Sequence, residues 1–186
     1  MLSHGFSLFE MLIALVIATL IMGSIMNFYP QFHTTIMRIY LQNTLQEATE
    51  QALSGLIKDI HRAGFIANSP HLISHSAIEI NAAGNCIVLR YDLTSSGQWR
   101  KFAYDPQQSD IFTYRYSKSS FDYQTGVEHC NSTATRWEKL FDPNEITVKR
   151  FKAVLNPNYV TLSITTALKH NPLIQYDVTY YVKKYN

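Results

Sequence analysis

The chain has no Lys or Arg among its first five residues and no charged residue from Met11 to Phe32. The first absence removes the basic n-region of a conventional secretory signal. The stretch Asn27-Phe28-Tyr29-Pro30 also lacks the small residues that a signal cleavage site needs. An excess of one charge sign is missing too: 16 Lys plus Arg stand against 14 Asp plus Glu, so nothing marks nucleic acid as the default partner. There is no Gly-x-Ser-x-Gly elbow, no phosphate-cradling loop and no pair of catalytic carboxylates. The sequence therefore predicts neither catalysis nor a cofactor. Internal repeats and low-complexity tracts are absent as well.

What stands in their place is an uncharged apolar run, Leu12 to Met26, long enough with its flanks to span a bilayer as a helix of about 20 residues. Glu10 sits directly against it, where an unpaired carboxylate costs several kcal/mol. Beyond Pro30, which removes one backbone donor and is expected to loosen a turn, the helical period continues through Ile36, Tyr40, Leu45, Ala48, Ala52, Leu56 and Ile60. Gly64 is the expected stop. A helix continuous from Phe6 to that point is about 85 Å long at 1.5 Å per residue.

Gly5-Phe6-Ser7-Leu8-Phe9-Glu10 followed by the apolar run resembles the leader of type IV pilins and type II secretion pseudopilins. The resemblance implies cleavage between Gly5 and Phe6 by a prepilin peptidase, N-methylation of Phe6, and Glu10 as an assembly contact. Inside a filament core, the Glu10 carboxylate and the Phe6 amine of a neighbouring subunit are expected to offset one another's desolvation. Where related leaders carry Lys or Arg before the Gly, this one has His4, which weakens the positive-inside signal. A second segment, Leu56-Ile57-Lys58-Asp59-Ile60-His61-Arg62-Ala63-Gly64-Phe65, resembles the helix end of minor pilins, with Asp59 and Arg62 as an i, i+3 pair. Gly84–Val88, Asp92…Trp99 and Cys130…Lys139 resemble prepilin peptidase-dependent subunits of enteric bacteria.

From residue 77 the period shifts to two. Expected strands are Ala77–Asn81, Cys86–Asp92, Gln98–Tyr104, Ile111–Ser117, Ile146–Leu155, Tyr159–Leu168 and Ile174–Tyr185. Thr94–Gly97 is expected to be a hairpin turn joining the second and third. Residues 118–144 read as a long loop with a helical turn at Arg136–Phe141. The fold class is thus α+β, pilin-like: a long amino-terminal helix packed on an antiparallel sheet. The expected divisions are a cleaved leader (1–5), a transmembrane or filament-core helix (6–30), an amphipathic helix (31–64) and a periplasmic globular domain (65–186). In an exported domain, Cys86 and Cys130 read as one structural disulfide; the alternative is two buried thiols.

Other constellations are weaker. His71 and His75 have the spacing of a helical metal pair, but Pro70 and polar neighbours point to a loop, so they and His61 read as surface or packing histidines. Asp92, Thr94 and Ser96 alternate like calcium ligands with too few acids around them. Lys149, Arg150 and Lys152 form one basic spot and Lys183 and Lys184 another. DNA contact is conceivable there, and a solvated strand face accounts for them more simply. The resemblance implies an inner-membrane, single-pass minor pilin at or near a filament tip. Its partners are then the prepilin peptidase, other minor and major pilins or pseudopilins, and inner-membrane lipid. A J-type pseudopilin, or a periplasmic binding protein that never polymerises, are the alternatives.

Overall fold

The computed structural model describes residues 7–67, 75–100, 108–130 and 136–185. One helix, α1 (Leu8–Arg62), is followed by eight strands: β1 (Ile78–Ile80), β2 (Cys86–Arg90), β3 (Ile111–Ser117), β4 (Ser120–Thr125), β5 (Glu138–Lys139), β6 (Ile146–Leu155), β7 (Tyr159–Leu168) and β8 (Gln175–Lys183). The α+β layout is the expected one. The strands form two antiparallel sheets, β1-β2-β3-β4-β5 and β6-β7-β8, rather than one.

Helix α1 runs uninterrupted through Pro30. The chain divides into two compact units, Met1–Leu41 and Gln42–Asn186. In the first, every described residue from Ser7 to Tyr40 is exposed. In the second, the helix buries Leu45, Thr49, Leu53 and Leu56, spaced three or four apart, and then the adjacent Asp59 and Ile60, so one stripe faces the sheets. Gly64 ends it with φ at 89°, the left-handed conformation expected of a terminator, and its N–H donates to the Arg90 carbonyl at 2.9 Å.

The carboxy-terminal meander follows its alternation. Val160, Leu162 and Ile164 of β7 are buried, while Thr161, Ser163 and Thr165 face outward. A bulge between Val148 and Arg150 accommodates one extra residue on β6. The two sheets meet where Ala153 N–H donates to the Gly84 carbonyl at 2.7 Å and Val148 N–H to that of Ser119 at 3.0 Å. Gly84 has φ at 71°, and a Cβ there lies 2.8 Å from the Ala153 oxygen. The Gly84→Ala substitution is expected to cost about 2 kcal/mol from left-handed strain and this backbone clash, read as a lower urea midpoint at unchanged m.

Three expectations for the middle of the chain are corrected. Gln98–Arg100 are not strand, and residues 101–107 lie outside the described ones. β2 pairs instead with β3, Cys86 opposite Arg115 through Arg90 opposite Ile111. The reason is Asp92, whose carboxylate draws the following backbone into a loop, as described below. Residues 118–144 are not one long loop: β4 pairs with β3, joined by Lys118-Ser119 with φ of 49° and 62°. That is a two-residue turn of the type that usually advertises itself with Asn-Gly. The helical turn expected at Arg136–Phe141 is replaced by β5 against β4, where Leu140 N–H donates to the Phe121 carbonyl at 3.0 Å. Phe121 is fully buried against Phe151, with ring centroids 4.5 Å apart. Burial of that ring outweighs the local helical pattern.

Candidate functional site

Gly5 and Phe6 lie outside the described residues. The described chain begins at Ser7, whose N–H donates to Glu10 Oε2 at 2.9 Å. Ser7-Leu8-Phe9-Glu10 thus forms half of a capping box, in which the acid at the third helical position satisfies the N–H of the N-cap residue. A carboxylate here also faces the positive end of the helix dipole. The signal was present in the sequence as Ser-x-x-Glu before an apolar run, and it gives Glu10 a use in the isolated chain that the sequence reading did not assign. From Met11 to Met37 no further Asp, Glu, Lys or Arg occurs. An 18-residue window of this helix has a mean hydropathy of 2.3 and nothing in it is buried. By length and composition it can cross a membrane.

In the globular unit, the helix-end motif resolves into a polar anchor. Tyr91 Oη donates to Asp59 Oδ1 at 3.0 Å and Tyr114 Oη to Asp59 Oδ2 at 2.6 Å. Both rings are buried; Tyr91 stacks on Phe112 at 4.2 Å, and Tyr114 lies 4.8 Å from Tyr123. Burial raises the Asp59 carboxyl above its usual range, against the two tyrosine hydrogen bonds and Arg62, which lower it. Burial and the Asp59 charge push the Tyr91 and Tyr114 phenols upward. The expected i, i+3 partner, Arg62, acts on Asp59 through its charge, and its guanidinium lies 5.9 Å from the Tyr91 ring. Two further anchors hold the helix to the second sheet. Thr49 and Thr166 hydroxyls are 2.8 Å apart, and Tyr176 Oη donates to Glu50 Oε1 at 2.9 Å. Burial and Glu50 push the Tyr176 phenol up to about 12.

Asp92 organises the loop after β2. Its Oδ1 accepts from Ser96 N–H at 2.8 Å, and its Oδ2 from Gly97 N–H at 2.7 Å and Ala67 N–H at 3.1 Å. Burial pushes this carboxyl up, but the backbone bonds outweigh it and the net shift is downward. Asp110 accepts in the same way from Leu93 and Arg100 N–H groups, both at 2.7 Å. Both Asp92 oxygens are thus occupied by donors, the opposite of what a calcium site presents. Thr94 and Ser96 belong to that turn.

The two cysteines form one disulfide, Cys86–Cys130, with Cα atoms 5.9 Å apart and a sequence separation of 44. Cys130 beside His129 is therefore no thiolate ligand. His61 packs on Tyr185 with ring centroids 4.9 Å apart, and His71 lies outside the described residues. Among the described residues no group of three His, Cys, Asp or Glu is placed to hold a metal ion.

These features are matched by known proteins. Residues 1–26 match the prokaryotic N-terminal methylation motif. Over 190 aligned residues the chain is 23% identical to prepilin peptidase-dependent protein B of Escherichia coli (strain K12), covering 98% of this chain and 97% of that one. No solved structure matches. The model of the family described as prepilin peptidase-dependent protein B matches residues 38–184, which includes the Asp59 anchor, both cysteines and all eight strands. With an apolar amino-terminal helix, a methylation motif and antiparallel sheets behind it, the chain is pilin-like and belongs to the prepilin peptidase-dependent protein B family.

Proposed function

We propose that this chain is a minor pilin that initiates a filament or sits near its tip. A prepilin peptidase cleaves between Gly5 and Phe6 and methylates Phe6, removing residues 1–5. Residues 6–30 then anchor the chain in the inner membrane and later line the filament core. Residues 31–64 lead into the globular domain, 65–186, on the periplasmic side. In this reading the chain is structural: its one chemical event is being processed, and its partners are the peptidase, membrane lipid and other pilins.

The observation that carries this reading is the single carboxylate of Glu10 on the amino-terminal stretch of α1 up to Met37, which is otherwise uncharged and exposed throughout. A plain anchor tolerates no such group without compensation, and a filament core supplies it as the amine of a neighbouring subunit. The match to the methylation motif supports the same amine. The Cys86–Cys130 disulfide supports the periplasmic side, because such bridges persist in oxidising compartments.

The capping bond refines the test. Glu10→Gln keeps an oxygen to accept the Ser7 N–H but carries no charge, whereas Glu10→Leu removes both. If the carboxylate is an assembly contact, both variants are expected to be processed and inserted, yet to lose filaments and co-purifying pilins. Loss of assembly in Glu10→Leu alone would reduce Glu10 to a helix cap and overturn the assembly role. Cleavage itself is checked by the mass of the mature amino terminus, expected to begin at a methylated Phe6.

A further inference from the structure

Charge is unevenly distributed along the chain. Residues 146–186 hold six of the sixteen Lys and Arg but only one of the fourteen acids, so this stretch is +5 while the remainder is −3. Of its charged residues, Lys149, Arg150, Lys152, Asp177 and Lys183 belong to the sheet β6-β7-β8. Its inner face is taken up by α1 through the Thr49–Thr166 and Glu50–Tyr176 contacts. Its outer face carries the exposed residues Lys152, Tyr159, Thr179, Tyr181 and Lys183.

The register places Arg150 and Lys152 of one basic spot and Lys183 of the other, about thirty residues away in sequence, on this one face. Across the strands the outward residues form rows: Tyr159 opposite Lys183; Val154, Thr161 and Tyr181; Lys152, Ser163 and Thr179; Arg150, Thr165 and Asp177. Rows are about 7 Å apart and strands about 4.8 Å, so the face is a few nucleotides long. Tyr181 is 72% exposed and its ring lies edge-to-face with Tyr159 at 5.9 Å. The Lys183 ammonium stands 6.0 Å from the Tyr185 ring. The single acid, Asp177, is 3.7 Å from Arg150 and also accepts from Thr165 at 2.9 Å.

What the face does with its hydroxyls decides which anionic polymer it fits. A glycan is held largely by hydrogen bonds to side-chain hydroxyl and amide groups. Here those groups bond to one another: Ser163 with Thr179 at 3.1 Å, Thr165 with Asp177, and Asn156 with Thr161 at 3.1 Å. What projects instead is exposed rings and ammonium groups. Rings stack on bases without regard to sequence, and cations on either side track phosphates. We infer that the outer face of β6-β7-β8 binds single-stranded nucleic acid, with Tyr159 and Tyr181 as the stacking surface and Lys152 and Lys183 as the phosphate contacts.

The test uses the full chain in mild detergent and a fluorescein-labelled dodecamer of deoxythymidylate, read by anisotropy at several salt concentrations. Wild-type binding is expected to weaken linearly on a log–log plot against salt. Lys152→Ala with Lys183→Ala is expected to weaken binding at least about tenfold and reduce that slope. Tyr181→Ala is expected to weaken it about tenfold by loss of stacking, while Tyr181→Phe retains it. Lys118→Ala with Lys139→Ala, which removes the same charge from the other sheet, is expected to change binding by less than twofold. Because Tyr181 and both lysines are exposed, unchanged urea midpoints confirm that these variants fold. Absence of salt-dependent binding by the wild type overturns the inference. So does equal loss with the control lysine pair, or heparin binding as tightly with no effect of Tyr181→Ala.

Discussion

Replacing the Cys86–Cys130 bridge by two alanines is expected to lower the stability of the globular unit by about 4 kcal/mol. The bridge closes 44 residues, and the loss of chain entropy it imposes on the unfolded state is of that size for such a loop. The span covers β2, β3 and β4, so without the bridge three strands must be brought together with only their own pairing to hold them. Alanine is the informative replacement because Cys86 is buried and serine would add an unpartnered hydroxyl there. At 2–4 °C per kcal/mol for a protein of this size, the thermal midpoint falls by roughly 8–16 °C. The same shift is expected for the wild type when reductant is added, and no shift for the double-alanine variant. Equal midpoints with and without reductant would show that the bridge does not constrain the unfolded chain in this way.

Removing the carboxylate of Asp59 has the second largest expected effect. Asp59→Leu strands two buried phenol hydroxyls, at about 1–3 kcal/mol each, so a loss of about 3 kcal/mol is predicted for the single variant. The asymmetry between stranding a partner and removing both supplies a second arm. In the triple variant Asp59→Leu, Tyr91→Phe, Tyr114→Phe all three polar groups leave together, and most of the loss is expected to be regained. If the triple variant is instead the sum of its parts, the three residues are not one unit.

Asp59 also predicts a pH dependence of defined sign. Burial holds its folded carboxyl above the ordinary value of 3.8. The folded state therefore binds a proton more readily than the unfolded one, and stability from this group is complete below about pH 3.8. It is lost as pH rises through the raised folded value. Asp92 runs the other way: its depressed carboxyl supports the fold at neutral pH and loses that support in acid. Comparing wild type with Asp59→Asn isolates the first. The wild-type urea midpoint relative to Asp59→Asn is expected to rise as pH is lowered from 7 to 4; a flat difference would remove Asp59 as the titrating group.

The sequence by itself determined the parts whose physics is local or periodic. An uncharged apolar run of this length reads as a helix long enough to cross a membrane, and the alternation of β7 and β8 fixes which side chains face the core. Gly64 as a stop needed only its conformational freedom. The methylation-motif match covers residues 1–26, the segment that holds the Gly-Phe motif. What the tertiary structure decided are the contacts made at long range. Asp59 finds Tyr91 and Tyr114, 32 and 55 residues away, and no spacing rule announces such partners. The turn at Lys118-Ser119 carries none of the Gly, Asn or Asp residues that favour its positive φ values, so β4 is held by Phe121 burial and its pairing with β3 rather than by turn chemistry. Asp92 looked like the entry to a hairpin, yet its carboxylate gathers three backbone N–H groups and forms a loop instead. Arg150, Lys152 and Lys183, far apart in sequence, share one sheet face because strand register, not sequence distance, sets which side chains lie on it.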